Sequence, residues 1–339
     1  MTSPTTPLHP REALFGASDA ERPMLPVCDH YSGVESRMRK SLALQSSWGD
    51  HALFDVTLDL EDGAPVGGEH EHALLIAELV NSPDNRFGRV GARVHPIGHP
   101  AFENELDVLV SRAGGRLAYL MVPKVNGIEE TCRALAAIEA AERRHGLARP
   151  LPVHTLIETH GALHEVHAIA ALPRIESLSF GLMDFVSAHR GAIPAAAMGV
   201  EGQFHHPLVV RAKLEIAAAC HAHHKTPSHC VVTEFKHTRA LEQAATRASK
   251  QMGYTRMWSI HPDQIRTIIE SFAPVAAEVD DAVEILLAAQ AAGWAPISVR
   301  HTLHDRASYR HYWHLLERAW GTGQPLPAEV LEAFFQDSE

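Results

Sequence analysis

Aromatic side chains are scarce in this sequence, 6% of its residues, and there are only four cysteines. Cys28, Cys132, Cys220 and Cys230 stand far apart with no Cys-x-x-Cys pair, which excludes a zinc ribbon or a disulfide framework and predicts reduced, structural thiols. Positive charge is also short. The 30 Lys and Arg against 41 Asp and Glu give a net charge of −11, which argues against nucleic acid or an anionic membrane surface as the main partner. No apolar run approaches the roughly 18 residues of a membrane span. The opening Met1-to-Ala20 stretch is polar, carries prolines and lacks an apolar signal core. The expectation is therefore a soluble, cytoplasmic protein. No repeat of 20–50 residues and no low-complexity tract occurs.

What the sequence does contain is an alternation of short β-rich runs with longer helical patterns. Strands are predicted at Met24–Cys28, Phe54–Asp59, Arg89–His95, Leu117–Pro123, Val153–Glu158, Ser177–Gly181, Cys230–Glu234 and Arg256–Ile260. Between them, stretches such as Glu69–Val80, Glu103–Arg112, Ile128–His145, Pro207–His224 and Thr238–Met252 carry apolar residues at three-to-four spacing. Eight strands each followed by a helix, with no Gly-rich loop after the first, predict a closed (β/α)8 barrel of the TIM type rather than a doubly wound sheet. The predicted organisation is an N-terminal arm over 1–23, a TIM-barrel catalytic domain over 24–273 and a C-terminal helical tail or lid over 274–339. Within that tail, the stretch Trp294–Asp305 reads as irregular.

In a barrel of this kind all strands end at one mouth, and chemistry sits there. Charged residues gather at those predicted ends: Asp59, Glu61 and Asp62 after strand 2, Arg93 and His95 after strand 3, Lys124 after strand 4, Glu158 after strand 5, Asp184 after strand 6, His261 after strand 8. Glu158 and Asp184 are two carboxylates from adjacent strand ends, able to hold a hard cation and leave positions for water and a chelating substrate. Arg93 suits a substrate carboxylate or a developing enolate. Lys124 serves either a second carboxylate or a structural pair with the acidic turn. The 25 histidines include no His-Glu-x-x-His spacing, so a zinc site is not indicated.

Six short motifs in order, Leu58-Asp59-Leu60-Glu61-Asp62, Arg93-Val94, Pro123-Lys124-Val125, Ile157-Glu158-Thr159, Phe180-Gly181-Leu182-Met183-Asp184 and Ile260-His261-Pro262-Asp263-Gln264-Ile265, resemble the HpcH/HpaI aldolase and citrate lyase β-subunit family. The resemblance runs from about Met24 to Phe272. It implies a Mg²⁺-dependent carbon–carbon lyase, with Mn²⁺ as a possible substitute, acting on a 2-hydroxy or 2-oxo carboxylic acid carried as a malyl-, citramalyl- or citryl-CoA-like thioester. The alternatives are an aldolase for a free hydroxy-oxo acid and a non-catalytic binding or regulatory barrel. By the same resemblance, Glu158 and Asp184 are the metal ligands and Arg93 is catalytic. Asp59, Glu61 and Asp62 are then the acidic turn beside the metal, with Lys124 near it. By their places after strands, His95 joins Arg93, Asp59 and Lys124 as an expected substrate contact, and His261 joins Glu61 and Asp62 in support. Asp305, in the tail, is the counterpart of a catalytic aspartate carried on a neighbouring subunit's lid, which implies a homo-oligomer, trimer or hexamer. The departures fall in Leu25–His30, in Arg93-Val94-His95 and in His229-Cys230-Val231, the first and last being regions that shape the thioester pocket in the relatives.

Overall fold

A computed structural model describes residues 8–15 and 24–335. Residues 1–7 and 16–23 of the N-terminal arm lie outside the described residues, as do 336–339. The chain divides into two compact units, Pro26–Phe272 and the described residues of Met1–Leu25 with Ala273–Glu339.

The first unit is a closed parallel barrel of eight strands in sequential order: β1 (Cys28–Ser32), β2 (Asp55–Asp59), β3 (Val90–Arg93), β4 (Leu120–Val122), β5 (Val153–Ile157), β6 (Ile175–Phe180), β7 (Thr226–His229) and β8 (Arg256–Ser259). β1 closes the ring by pairing with β8, Cys28 against Met257. Around it run the helices α2 (Glu35–Ser47), α3 (Glu69–Asn81), α4 (Phe102–Ala113), α5 (Ile128–His145), α6 (His160–His164), α7 (Val166–Ala170), α8 (Leu182–Ser187), α9 (Pro207–Ala222), α10 (Thr238–Gln251) and α11 (Pro262–Phe272). Helix α10 shows why the sequence folds this way, since its buried residues Leu241, Ala244, Ala245 and Ala248 repeat at the spacing of one helical face. Similarly, α11 buries Ile265, Ile268, Ile269 and Phe272.

The barrel interior is polar at its N-terminal end. Arg256 on β8 bridges Asp29 at 3.0 Å and Asp55 at 2.7 Å, and Arg89 holds Asp55 through two 2.7 Å hydrogen bonds. Tyr119 reaches across the lumen to Asp29 on β1 and meets the Thr57 hydroxyl at 2.7 Å. Above this layer Met121, Leu156 and Trp258 form an apolar plug, which is the floor of the mouth.

Two strands differ from expectation. β1 starts at Cys28, where the predicted strand ended, and β7 covers Thr226–His229 instead of Cys230–Glu234. Both shifts have one cause. The apolar runs read as strands, whereas the ladder takes the polar segments Asp-His-Tyr-Ser and Thr-Pro-Ser-His, because neighbouring strands set the register and this lumen accepts polar side chains.

The second unit contains α1 (Pro10–Leu14), α12 (Ala276–Ala291), α13 (Arg306–Gly321) and α14 (Ala328–Phe334) around Leu286, Tyr309, Trp313, Leu316 and Val330. The stretch expected to be irregular holds a hairpin, β9 (Ile297–Val299) paired with β10 (Thr302–His304). Its turn uses Arg300 and His301 at positive φ, and the Arg300 guanidinium is anchored by Asp281 and Glu284. Among the described residues no helix is long and apolar enough to cross a membrane.

Candidate active site

The acidic turn after β2 organises the mouth around one arginine. Asp59, the last residue of β2, accepts Arg93 Nε at 2.6 Å on Oδ1 and Arg93 Nη2 at 3.0 Å on Oδ2. It also accepts the backbone N–H of Glu61 at 3.1 Å, that of Gly63 at 2.6 Å, and the Tyr31 hydroxyl. Burial pushes the Asp59 carboxyl well above the usual carboxylate range, the two N–H donors pulling against it and the charges of Glu61 and Asp62 adding to the rise. Expected to contact substrate, Asp59 has no exposed surface and both oxygens occupied, and it holds Arg93.

Arg93 in turn lies 4.6 Å from the Tyr31 ring centre and 5.9 Å from that of Trp258, and its Nη1 is 3.0 Å from Glu61 Oε2. Burial lowers its pKa to about 10, against the pull of Glu158 and Asp184, so it remains a cation at neutral pH. Two of its five N–H donors bond to Asp59 and Nη1 pairs with Glu61, so a ligand would share the Nη1 end with that carboxylate.

Lys124 follows β4 in the left-handed region, φ 52°, an uncommon conformation for a residue with a side chain. That turn aims its backbone N–H at Glu158 Oε1, 2.7 Å away, and swings its ammonium to Glu61, to Asp62 at 2.8 Å and to within 3.9 Å of Asp184. Burial works against the ammonium, but hydrogen bonds to Asp62 and Glu61 hold its pKa above the ordinary lysine value. Glu158 is buried directly beyond β5, and burial followed by repulsion from Asp184 raises its pKa to about 8, despite the Lys124 N–H and Arg93. Its place exists because residue 181 is glycine: a Cβ there would lie 2.1 Å from Glu158 Oε2. Asp184, in the first turn of α8, is half exposed.

The structure thus brings Asp59, Glu61, Asp62, Arg93, Lys124, Glu158 and Asp184 into one network. Three other candidates stand outside it. His95, expected to touch substrate, turns its ring to Glu105 and stacks on His99 at 3.9 Å, because the buried Glu105 carboxylate takes both its Nδ1 and its backbone N–H. His261 stacks on Phe235 at 4.9 Å in a neighbouring cleft. Asp305 belongs to the second unit and caps α13, accepting the N–H groups of Ala307 at 2.9 Å and Ser308 at 3.3 Å.

Sequence reasoning missed Tyr31 and Trp258, and also the cleft of about 570 Å³ beside β1 and α2, which His30, Tyr31, Arg37, Lys40, Phe235 and His261 help to line. A signal was present in the alternation Asp29, Tyr31 before the Ser32-Gly33 turn, but it lay beyond the apolar run read as the first strand.

Among the described residues no group of three or more His, Cys, Asp or Glu side chains would hold a metal alone. The donor set nevertheless fits a hard cation completed by substrate and water. Two carboxylates come together at Glu158 and Asp184, the first pushed toward neutrality by burial and by the second, while Glu61 Oε2 is taken by Arg93 Nη1.

Comparison with known proteins places this geometry in context. A family model described as HpcH/HpaI aldolase/citrate lyase matches residues 50–262. An L-malyl-CoA/beta-methylmalyl-CoA lyase of Cereibacter sphaeroides is 30% identical over 247 residues, covering 70% of this chain and 77% of that protein. A malyl-CoA/beta-methylmalyl-CoA/citramalyl-CoA lyase of Chloroflexus aurantiacus is 27% identical over 251 residues, 67% of this chain and 70% of its own. Among solved structures, a citrate lyase from Burkholderia xenovorans LB400 is 51% identical with a TM-score of 0.81, covering 96% of this chain and all of that one (100%). The fold is shared by CitE of Mycobacterium tuberculosis, solved with magnesium, acetoacetate and coenzyme A, at 18% identity and a TM-score of 0.65, covering 87% of this chain and 98% of that one.

Proposed function

Because the chain belongs to the HpcH/HpaI aldolase/citrate lyase family and is a lyase, we propose that it cleaves or forms a carbon–carbon bond in a 2-hydroxy carboxylate carried as a coenzyme A thioester of the malyl, citramalyl or citryl type. The observation that carries this reading is the buried Glu158 carboxylate, its pKa raised by burial and by Asp184, within the field of the buried Arg93. Glu158 and Asp184 would hold Mg²⁺, or Mn²⁺ in its place, two carboxylates being a sufficient protein share for such an ion. When bound, the cation supplies the charge that chelates the substrate and polarises its oxygen.

The chain's own residues do the rest. Arg93, locked by Asp59, offers its Nη1 end, shared with Glu61, to the oxygen that gains charge as the bond breaks, an effect worth about 3–4 kcal/mol for one well-placed donor. Lys124 neutralises Glu61 and Asp62, so the acidic turn does not repel an anionic substrate. Arg37 and Lys40 suit the phosphates of a thioester carrier, with Phe235 and His261 as an aromatic wall of the same cleft. Proton return to carbon falls to Asp305 of a neighbouring tail in a trimer or hexamer, a role its Oδ2 could serve while Oδ1 holds the α13 cap.

The test is Mg²⁺-dependent turnover of malyl-, citramalyl- and citryl-CoA beside free 4-hydroxy-2-oxo acids, followed as release of glyoxylate, pyruvate or oxaloacetate. Thioester cleavage is the expected result. Turnover of free acids alone would move the chain to the aldolase reading, and metal binding without turnover of any of them would leave a binding barrel.

A further inference from the structure

Every donor of Arg93 that could meet a substrate depends on where its guanidinium plane points, and carboxylates at its edges do not fix its tilt by themselves. Asp59 grips Nε and Nη2 and Glu61 Oε2 stands 3.0 Å from Nη1, so tilt of the guanidinium is opposed chiefly by what lies against its faces. Tyr31 supplies what is lacking, in two ways. Its ring lies against the guanidinium, 4.6 Å from ring centre to Cζ, and is itself stacked on Trp258 at 5.5 Å and 18°. Its hydroxyl donates to Asp59 Oδ2, the oxygen that accepts Arg93 Nη2, so it also fixes the carboxylate on which the fork pivots. Room for that hydroxyl comes from a glycine. A Cβ at residue 63 would stand 2.8 Å from the Tyr31 oxygen and 2.5 Å from Asp59 Oδ2.

We propose that Tyr31 is a positioning residue for the reaction, holding the Arg93 guanidinium by a hydroxyl bond to Asp59 and by its ring face. The role rests on the lyase reading given above. Arg93 acts on charge that develops during reaction, so misorientation raises the barrier more than it weakens substrate binding. Tyr31 itself also borders the cleft lined by Arg37 and Lys40, and this places it between the two halves of the site.

The experiment compares the wild type with Tyr31→Phe and Tyr31→Leu in the full chain. Three quantities are read: kcat and KM for the thioester that the wild type turns over, Mg²⁺ affinity by calorimetry, and exchange of the Arg93 Nε proton by nitrogen-15 NMR. Tyr31→Phe keeps the ring and loses the hydroxyl, and about a tenfold fall in kcat is expected, the size of one hydrogen bond to a charged group. Tyr31→Leu loses both, and about a hundredfold fall is expected, as for a misplaced catalytic group. KM and Mg²⁺ affinity should stay within about threefold in both, because neither Glu158 nor Asp184 is touched. Faster Nε exchange should rank in the same order, Leu above Phe above wild type. Unchanged exchange and kcat in a folded Tyr31→Phe protein overturns the proposal, as does a kcat loss matched by an equal loss of Mg²⁺ affinity. Should Tyr31→Leu fail to fold, the isosteric Phe variant decides alone. A wild type silent on every substrate defeats the lyase reading, while the exchange ranking still decides whether Tyr31 holds Arg93.

Discussion

Arg93 and Glu158 share one device, a charge taken out of water and then given a defined partner set. For Arg93 the partners are Asp59 and the Tyr31 ring, and Arg93→Lys should keep Mg²⁺ affinity but lower kcat/KM about 10²–10³-fold, since an ammonium cannot span both Asp59 oxygens and still present a donor. Steady-state kinetics with calorimetry checks both halves. For Glu158 the partner set is incomplete in protein atoms alone. Glu158→Gln and Asp184→Asn should each weaken Mg²⁺ binding at least about tenfold with the melting curve retained, and undiminished affinity in both would remove them as ligands. The raised pKa of Glu158, about 8, also sets a sign for pH. Between its ordinary value and about 8 the native protein holds a proton there that the unfolded chain has lost. In EDTA, therefore, this group makes the fold less stable as pH rises through that window, and Glu158→Gln should flatten the slope. With Mg²⁺ present the affinity should climb over the same range, because the ion competes with that proton.

At the scale of elements, β5 and β6 form the corner proposed for the metal only because Gly181 lets Glu158 lie against the next strand's end. Gly181→Ala places a methyl 2.1 Å from the carboxylate oxygen and 2.5 Å from Glu158 Cβ, and should cost about 1–3 kcal/mol of stability while displacing Glu158 and weakening Mg²⁺ binding. Denaturant titration and calorimetry on one preparation separate the two effects. β8 carries a different constraint. Arg256, wholly buried, bridges Asp29 and Asp55, and Arg256→Gln leaves two buried carboxylates short of a cation. A loss of about 3–5 kcal/mol is expected, measured as the midpoint of urea unfolding. A small effect would mean that Arg89 alone satisfies Asp55.

For the whole molecule, the chain divides into a barrel unit and a second unit with its own core, and Asp305 belongs to the second. Asp305 is fully explained as the cap of α13, and removing a cap costs only about 1 kcal/mol, so Asp305→Asn, a cap in its own right, should leave the second unit folded. Mixing Arg93→Lys with Asp305→Asn subunits after partial unfolding should restore about a quarter of wild-type activity if each mouth takes its aspartate from a neighbour in a symmetric ring. No recovery, with assembly verified by sedimentation, removes the neighbour's tail from the reaction.

Much of this was legible in the sequence, and the boundary is physical. The order of strands and helices, the barrel, and the gathering of Asp59, Arg93, Lys124, Glu158 and Asp184 at strand ends follow from periodicity and from the rule that every strand of such a barrel ends at the same mouth. Those are local patterns repeated eight times, so errors in single elements do not change the whole. Partner choice is not local. Whether Asp59 would meet substrate or Arg93, whether His95 would face the mouth or Glu105, and whether Tyr31 would face the lumen depended on register shifts of a few residues in β1 and on side chains 28 to 62 positions away, such as Tyr31 to Asp59 and Arg93. The sequence by itself determined which residues arrive at the mouth, because backbone periodicity delivers them there. Only the tertiary structure decided which of them are spent on one another and which remain for a ligand, because a buried charge takes the nearest partner in space.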